Sequence, residues 1–129
     1  MRRIHVTGRQ IFSGLSFLAV LAVQTVGLAA HLAVVKTMPA NGSTVTEQPA
    51  RVQIWFSQQP SPRVSRLQMS GPGGDVELGA LEINREDRSI AAAVEGTLAP
   101  GSYEITWRTA GDDGHVMRGT FTFSLDAPE

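Results

Sequence analysis

Two stretches of this chain alternate side chains with a period of two: Val52, Ile54 and Phe56 in one, Tyr103, Ile105 and Trp107 in the other, with Gln53, Glu104 and Thr106 as polar neighbours. A period of two puts every second side chain on one face of an extended strand, so these stretches are β-strands with one face turned inward. Strand-type segments recur at 32–37, 51–57, 64–70, 76–83, 89–94, 102–109 and 117–125. Turn sequences separate them: Pro39-Ala-Asn-Gly42, Pro60-Ser-Pro62, Gly71-Pro-Gly-Gly-Asp75, Ala99-Pro-Gly101 and Gly111-Asp-Asp-Gly114. Proline presets φ there and glycine frees it. About seven short strands at this spacing predict an all-β, antiparallel sandwich or barrel. The glycine run at 71–75 lacks the Lys-Ser/Thr and the following helix of a phosphate loop, and reads as a turn.

The first thirty residues obey a different logic. Arg2, Arg3 and Arg9 surround the start, an apolar stretch runs from 11 to 23, and 24–30 shift to small residues, which is the tripartite form of a secretory signal. Ser13, Gly14 and Ser16 interrupt the apolar stretch and Gln24 ends it, whereas a membrane-spanning helix needs roughly 20 continuous apolar residues. The expectation is a cleaved signal peptide over 1–30 and one exported domain over 31–129, with no membrane span after cleavage and the periplasm as its compartment. The chain has no cysteine, which excludes disulfides, thiolate metal sites and a lipidated cysteine at the cut. It carries 11 Lys and Arg against 12 Asp and Glu. Three of those arginines leave with the signal peptide, so the mature domain is acidic and nucleic acid is excluded as a partner.

Only two histidines remain in the mature domain, His31 and His115. His115 ends the loop Asp112-Asp113-Gly114-His115, where side chains at i and i+2 converge on one ion or one proton. Asp-x-His alone describes a solvated turn equally well. His31 lies beside the expected cut, and cleavage after Ala30 would give it a free α-amine with a pKa near 8 next to an imidazole near 6.5. Nitrogen donors with one carboxylate suit Cu(II), although zinc also accepts them.

The mature chain resembles the CopC-type periplasmic copper-resistance proteins. The resemblance rests on His31-Leu32, on 39–45 (Pro-Ala-Asn-Gly-Ser-Thr-Val), and on 52–57 (Val-Gln-Ile-Trp-Phe-Ser). It continues through 98–107 (Leu-Ala-Pro-Gly-Ser-Tyr-Glu-Ile-Thr-Trp), Asp113-Gly-His115 and 119–123 (Gly-Thr-Phe-Thr-Phe). It implies an immunoglobulin-like Greek-key β-sandwich and a single Cu(II) site made by the mature N-terminal histidine with the loop Asp and His. Here those residues are His31, Asp113 and His115. The expected function is that of a monomeric copper-binding protein without catalysis, for homeostasis, resistance or delivery to an inner-membrane copper transport protein.

Three features depart from that pattern. Many relatives place the ligand histidine three residues before the leucine, a place that falls on Ala29. Cleavage after Ala30 makes His31 first, and cleavage after Ala29 makes it second. Gln58 stands where a carboxylate often follows Phe-Ser, which removes a possible fourth ligand or an acceptor behind the ligands. Met38, Met69 and Met117 are isolated, so no methionine-rich Cu(I) loop is expected. Two rival readings follow: an interaction module whose metal site has degraded, and a histidine-brace copper oxygenase, which also uses an N-terminal histidine on a β-sandwich. Trp55 and Trp107 read as packing residues, and Asp112 and Arg118 as solvated charges flanking the loop.

Overall fold

The computed structural model describes residues 31–127, and the expected signal peptide lies outside them. The described residues form nine strands in two sheets and no helix. One sheet runs β1 (Val34–Met38), β3 (Arg51–Phe56), β7 (Ser89–Ala93), β6 (Glu82–Asn84). The other runs β2 (Ser43–Val45), β9 (Val116–Leu125), β8 (Gly101–Ala110), β4 (Arg66–Gly71), β5 (Gly74–Val76). All pairings are antiparallel except β2 with β9. The all-β sandwich expected from the alternation is the architecture observed.

The longest pairing is β8 with β9, continuous from Gly101 opposite Leu125 to Ala110 opposite Val116. Their inward residues, Tyr103, Ile105 and Trp107 with Phe121, Phe123 and Leu125, form the core together with Val52, Ile54 and Phe56 of β3 and Ile90 of β7. Aromatic pairs lock the two sheets and the hairpin. Phe56 meets Trp107 edge-on at 5.3 Å across the sheets, and Tyr103 stacks on its neighbour Phe123 at 5.3 Å; such pairs add to the burial of their area. The Tyr103 hydroxyl donates to the Ala99 carbonyl, so its one polar atom is satisfied at the core's edge. Gly119 lies opposite Trp107, and a Cβ there would sit 2.5 Å from the indole Cζ2.

Nine strands arise where about seven segments were expected, for two reasons. The segment 76–83 is divided between the sheets: Val76 pairs with Met69 on β4, and Glu82 pairs with Ala91 on β7. The chain changes sheets directly after Val76: Leu78 already bridges Val94, and the Gly79 N–H donates to the carbonyl of Ala93, the last residue of β7, at 2.8 Å. The strand β2 is only three residues long and too short to show a period. It is held in parallel to β9 with Val45 opposite Leu125, and Gly42, at φ +76°, makes the turn that delivers it. Polar Gln53 is also buried, its Nε2 donating to Ser89 Oγ at 2.9 Å. Trp107 is a core residue as expected. Trp55 lies on the other face of β3, where its indole N–H donates to Asp87 and Lys36 covers the ring at 4.1 Å.

Phe123 is 1% exposed at the centre of the core. Phe123→Ala is expected to cost about 3–5 kcal/mol of stability, read as a lower urea midpoint with an unchanged slope.

Candidate metal centre

One end of the sandwich collects the start of β1, the residues after β3 and the loop joining β8 to β9. Leu32, 2% exposed, is part of the core and fixes the position of the residue before it. Next to it, Ala33 pairs with Ser57: the Ser57 N–H donates to the Ala33 carbonyl at 2.8 Å, and the Ala33 N–H donates to Ser57 Oγ at 2.9 Å. His31 is therefore carried on a segment that is buried one residue later and hydrogen-bonded two residues later.

The loop 111–115 is built to meet it. The Gly114 N–H donates to the Gly111 carbonyl at 3.1 Å, and Gly114 has φ +75°, which a side chain would oppose. Gly111 packs so closely that a Cβ would lie 2.3 Å from Gln58 Oε1 and 3.0 Å from Leu32 Cβ. That same Gln58 oxygen accepts the Asp112 N–H at 3.0 Å. The residue expected only to subtract a carboxylate therefore keeps an acceptor in place and uses it to hold the loop's backbone. Its local signal in the sequence was no more than its position after Phe56-Ser57.

Within the loop, Asp113 Oδ1 accepts the His115 N–H at 3.0 Å, closing an Asx turn. The other carboxylate oxygen, Oδ2, lies 2.9 Å from His31 Nδ1 and 3.1 Å from His115 Nδ1. The imidazole rings are 5.5 Å apart at a 44° tilt. All three residues named from the sequence are thus together, with one potential ligand atom from each inside a span of 4.8 Å. The histidine side chains are 61% and 70% exposed, and the Asp113 side chain is 21% exposed. The Asp113 carboxyl is held below its ordinary pKa, first by the His115 N–H, against an opposing effect of partial burial, and then by the His31 hydrogen bond and the charges of both imidazoles. Two imidazoles and an ionised carboxylate at this separation can share a proton or chelate a cation through nitrogen and oxygen. Asp112 and Arg118 do not join the cluster: only the backbone of Asp112 is engaged, and Arg118 lies on β9 beyond the loop.

The CopC domain family profile matches residues 34–126, and the chain belongs to that family. Across 121 residues it is 26% identical to Protein YobA of Escherichia coli K12, covering 92% of this chain and 97% of that one. It is also 26% identical over 98 residues to the copper transport protein CutJ of Bacillus subtilis, covering 74% of this chain but 18% of CutJ. The crystal structure of CopC from Methylosinus trichosporium OB3b superposes with a TM-score of 0.68 at 26% identity, covering 77% of this chain and 97% of that one.

Two outcomes follow for the metal-free protein. Gln58→Ala is expected to cost about 1 kcal/mol and to speed hydrogen exchange at the Asp112 amide, while core amides of β8 keep their protection. Because the folded-state pKa of Asp113 is depressed, its contribution is complete above the ordinary carboxylate value near 3.9 and is lost as pH falls through the lowered one. A carboxyl-carbon NMR titration should place the Asp113 midpoint below that ordinary value, and His31→Gln should move it back up.

Proposed function

We propose that the mature protein is a periplasmic Cu(II)-binding protein that carries the ion as cargo, catalyses no reaction, and passes copper to an inner-membrane transport protein. The ligands are the His31 imidazole, Asp113 and His115, joined by the α-amine that removal of the signal peptide after Ala29 or Ala30 frees at or next to His31. The observation that carries this reading is the meeting of His31 and His115, from opposite ends of the domain, on one oxygen of Asp113. A stabilising proton network would serve as well at neutral histidines, but both rings are largely exposed, and a solvent-facing hydrogen bond of this kind adds little to stability. An open mouth is what an ion that must enter and leave requires.

The donor set favours copper over harder cations. Imidazole nitrogen with one carboxylate, and an amine in addition, suits tetragonal Cu(II), which heads the divalent affinity series. Membership of the CopC domain family and the name of CutJ, a copper transport protein that includes a matching stretch, support both the metal and a transport protein as the receiver.

Gln58 favours a second reading, a partner-binding module without copper, because the place of a possible fourth ligand holds a loop-binding amide. The two readings separate in one experiment. Calorimetry and paramagnetic resonance on protein whose N-terminus has been checked by mass should show one tight Cu(II) site with nitrogen hyperfine structure. His115→Ala should weaken it by more than the roughly 10–100-fold that follows loss of a group behind a ligand. Weak Cu(II) binding, or binding indifferent to His115→Ala, overturns the proposal in favour of the module.

A further inference from the structure

Outside the histidine cluster, three arginines form a row across the outer face of the five-stranded sheet. Arg66 of β4 is opposite Arg108 of β8, which is opposite Arg118 of β9. Each alternates with an inward neighbour and so stands on the solvent side; Arg66 and Arg118 are exposed and Arg108 half-buried. Neighbouring strands lie about 4.8 Å apart, so the three Cα atoms span about 10 Å.

Nothing in the fold accounts for the row. Like charges placed directly opposite one another destabilise a sheet, and among the described residues no carboxylate lies within ion-pair distance of any of the three guanidinium groups. Two of them are steadied by backbone: Arg66 Nη1 donates to the Ser65 carbonyl at 2.7 Å, and Arg108 Nε to the Val64 carbonyl at 3.3 Å. Each keeps most of its five N–H donors for another acceptor. With Gln68, Thr106 and Trp107 the arginines line a shallow hollow of about 370 Å³.

The charge on this face also reverses along the strands. Two rows away from the arginines, Glu104 stands opposite Ser70, and it shares a neighbouring hollow with Asp75. The cationic end is the one that adjoins the His31, Asp113 and His115 cluster. Arg118 is the third residue after His115, and Val116 between them is 49% exposed, giving the rim one apolar contact.

The geometry points to a docking surface for an acidic segment of a protein partner, whose carboxylates would be gripped by Arg66, Arg108 and Arg118. Side chains on one side of an extended segment recur about every 6.6 Å, so two neighbouring carboxylates fit within the row, and the planar guanidinium fork receives each in bidentate fashion. The linear, open arrangement suits a chain better than one enclosed anion. Three cations fall short of the four to eight that mark an anionic-lipid site. An acidic domain repels such a segment elsewhere, so the row also sets the direction of approach and brings the partner to the edge of the histidine cluster. This inference is independent of the copper reading and is tested without metal.

The test follows amide NMR shifts of the metal-free mature protein at low ionic strength, with a short peptide alternating Glu and Ser and its Gln-Ser counterpart as probes. Saturable shifts confined to 66–68, 106–108 and 116–120 with the Glu peptide alone, lost in high salt, are expected. Arg118→Gln, which removes the arginine without a backbone tether, should weaken binding about tenfold or more with a thermal midpoint unchanged or raised. Arg66→Gln serves as a second variant with the same expectation, and Arg85→Gln, on the distant turn before β7, should change nothing. Absence of saturable shifts, or equal binding by Arg118→Gln and Arg66→Gln, overturns the inference. So does inorganic phosphate giving the same shifts with equal affinity, or binding to phosphatidylglycerol vesicles without binding to the peptide.

Discussion

The ten-residue pairing of β8 with β9 is the interaction on which the rest of the molecule depends. Its inner face supplies half of the core, including the Tyr103 and Phe123 stack and the Trp107 ring that reaches Phe56 in the opposite sheet. Its outer face carries Arg108 beside Arg118. Its turn is the loop that bears Asp113 and His115. Because the strands stay in register to the last pair, Ala110 with Val116, the loop leaves a rigid base, and a one-residue slip would reverse every one of these faces at once.

The histidine cluster depends on a second contact, between the core and the start of the chain. Leu32 is buried next to Gly111, and Gln58 ties the loop backbone from the end of β3. Three separate stretches thus meet at a point where there is no space for a methyl group on Gly111. The side chains of the cluster themselves are exposed, so it is the buried backbone beneath them that sets their spacing. This is how a solvent-facing group of two imidazoles and a carboxylate keeps a defined geometry without burying charge.

Much of this was legible because the core strands alternate cleanly: Tyr103, Ile105 and Trp107 announce both their period and their inward face. The pairing of His31 with Asp113 was legible only through family resemblance, since no local pattern links residues so far apart. Two things escaped for physical reasons. The division of 76–83 falls between Val76 and Leu78, where the alternation Val76, Glu77, Leu78 runs unbroken and gives no sign of it, and β2, with Ser43, Thr44 and Val45, is made by its parallel neighbour rather than by its own propensity. In the sequence Gln58 shows only the charge it lacks; its amide oxygen matters because Asp112 presents an N–H to it, which is a fact of tertiary structure. The arginine row likewise appears only when register sets Arg66, Arg108 and Arg118 side by side.

The 82-residue separation of His31 and Asp113 has a consequence for the order of events in the molecule's life. The loop can form its Asx turn as soon as the hairpin closes, but the first histidine arrives only when the β1 edge has docked and Leu32 has found its place. The complete cluster is thus a property of the finished sandwich and of no partly folded fragment. A local loosening that frees Leu32 would take the cluster apart while leaving the hairpin intact, with no need of global unfolding.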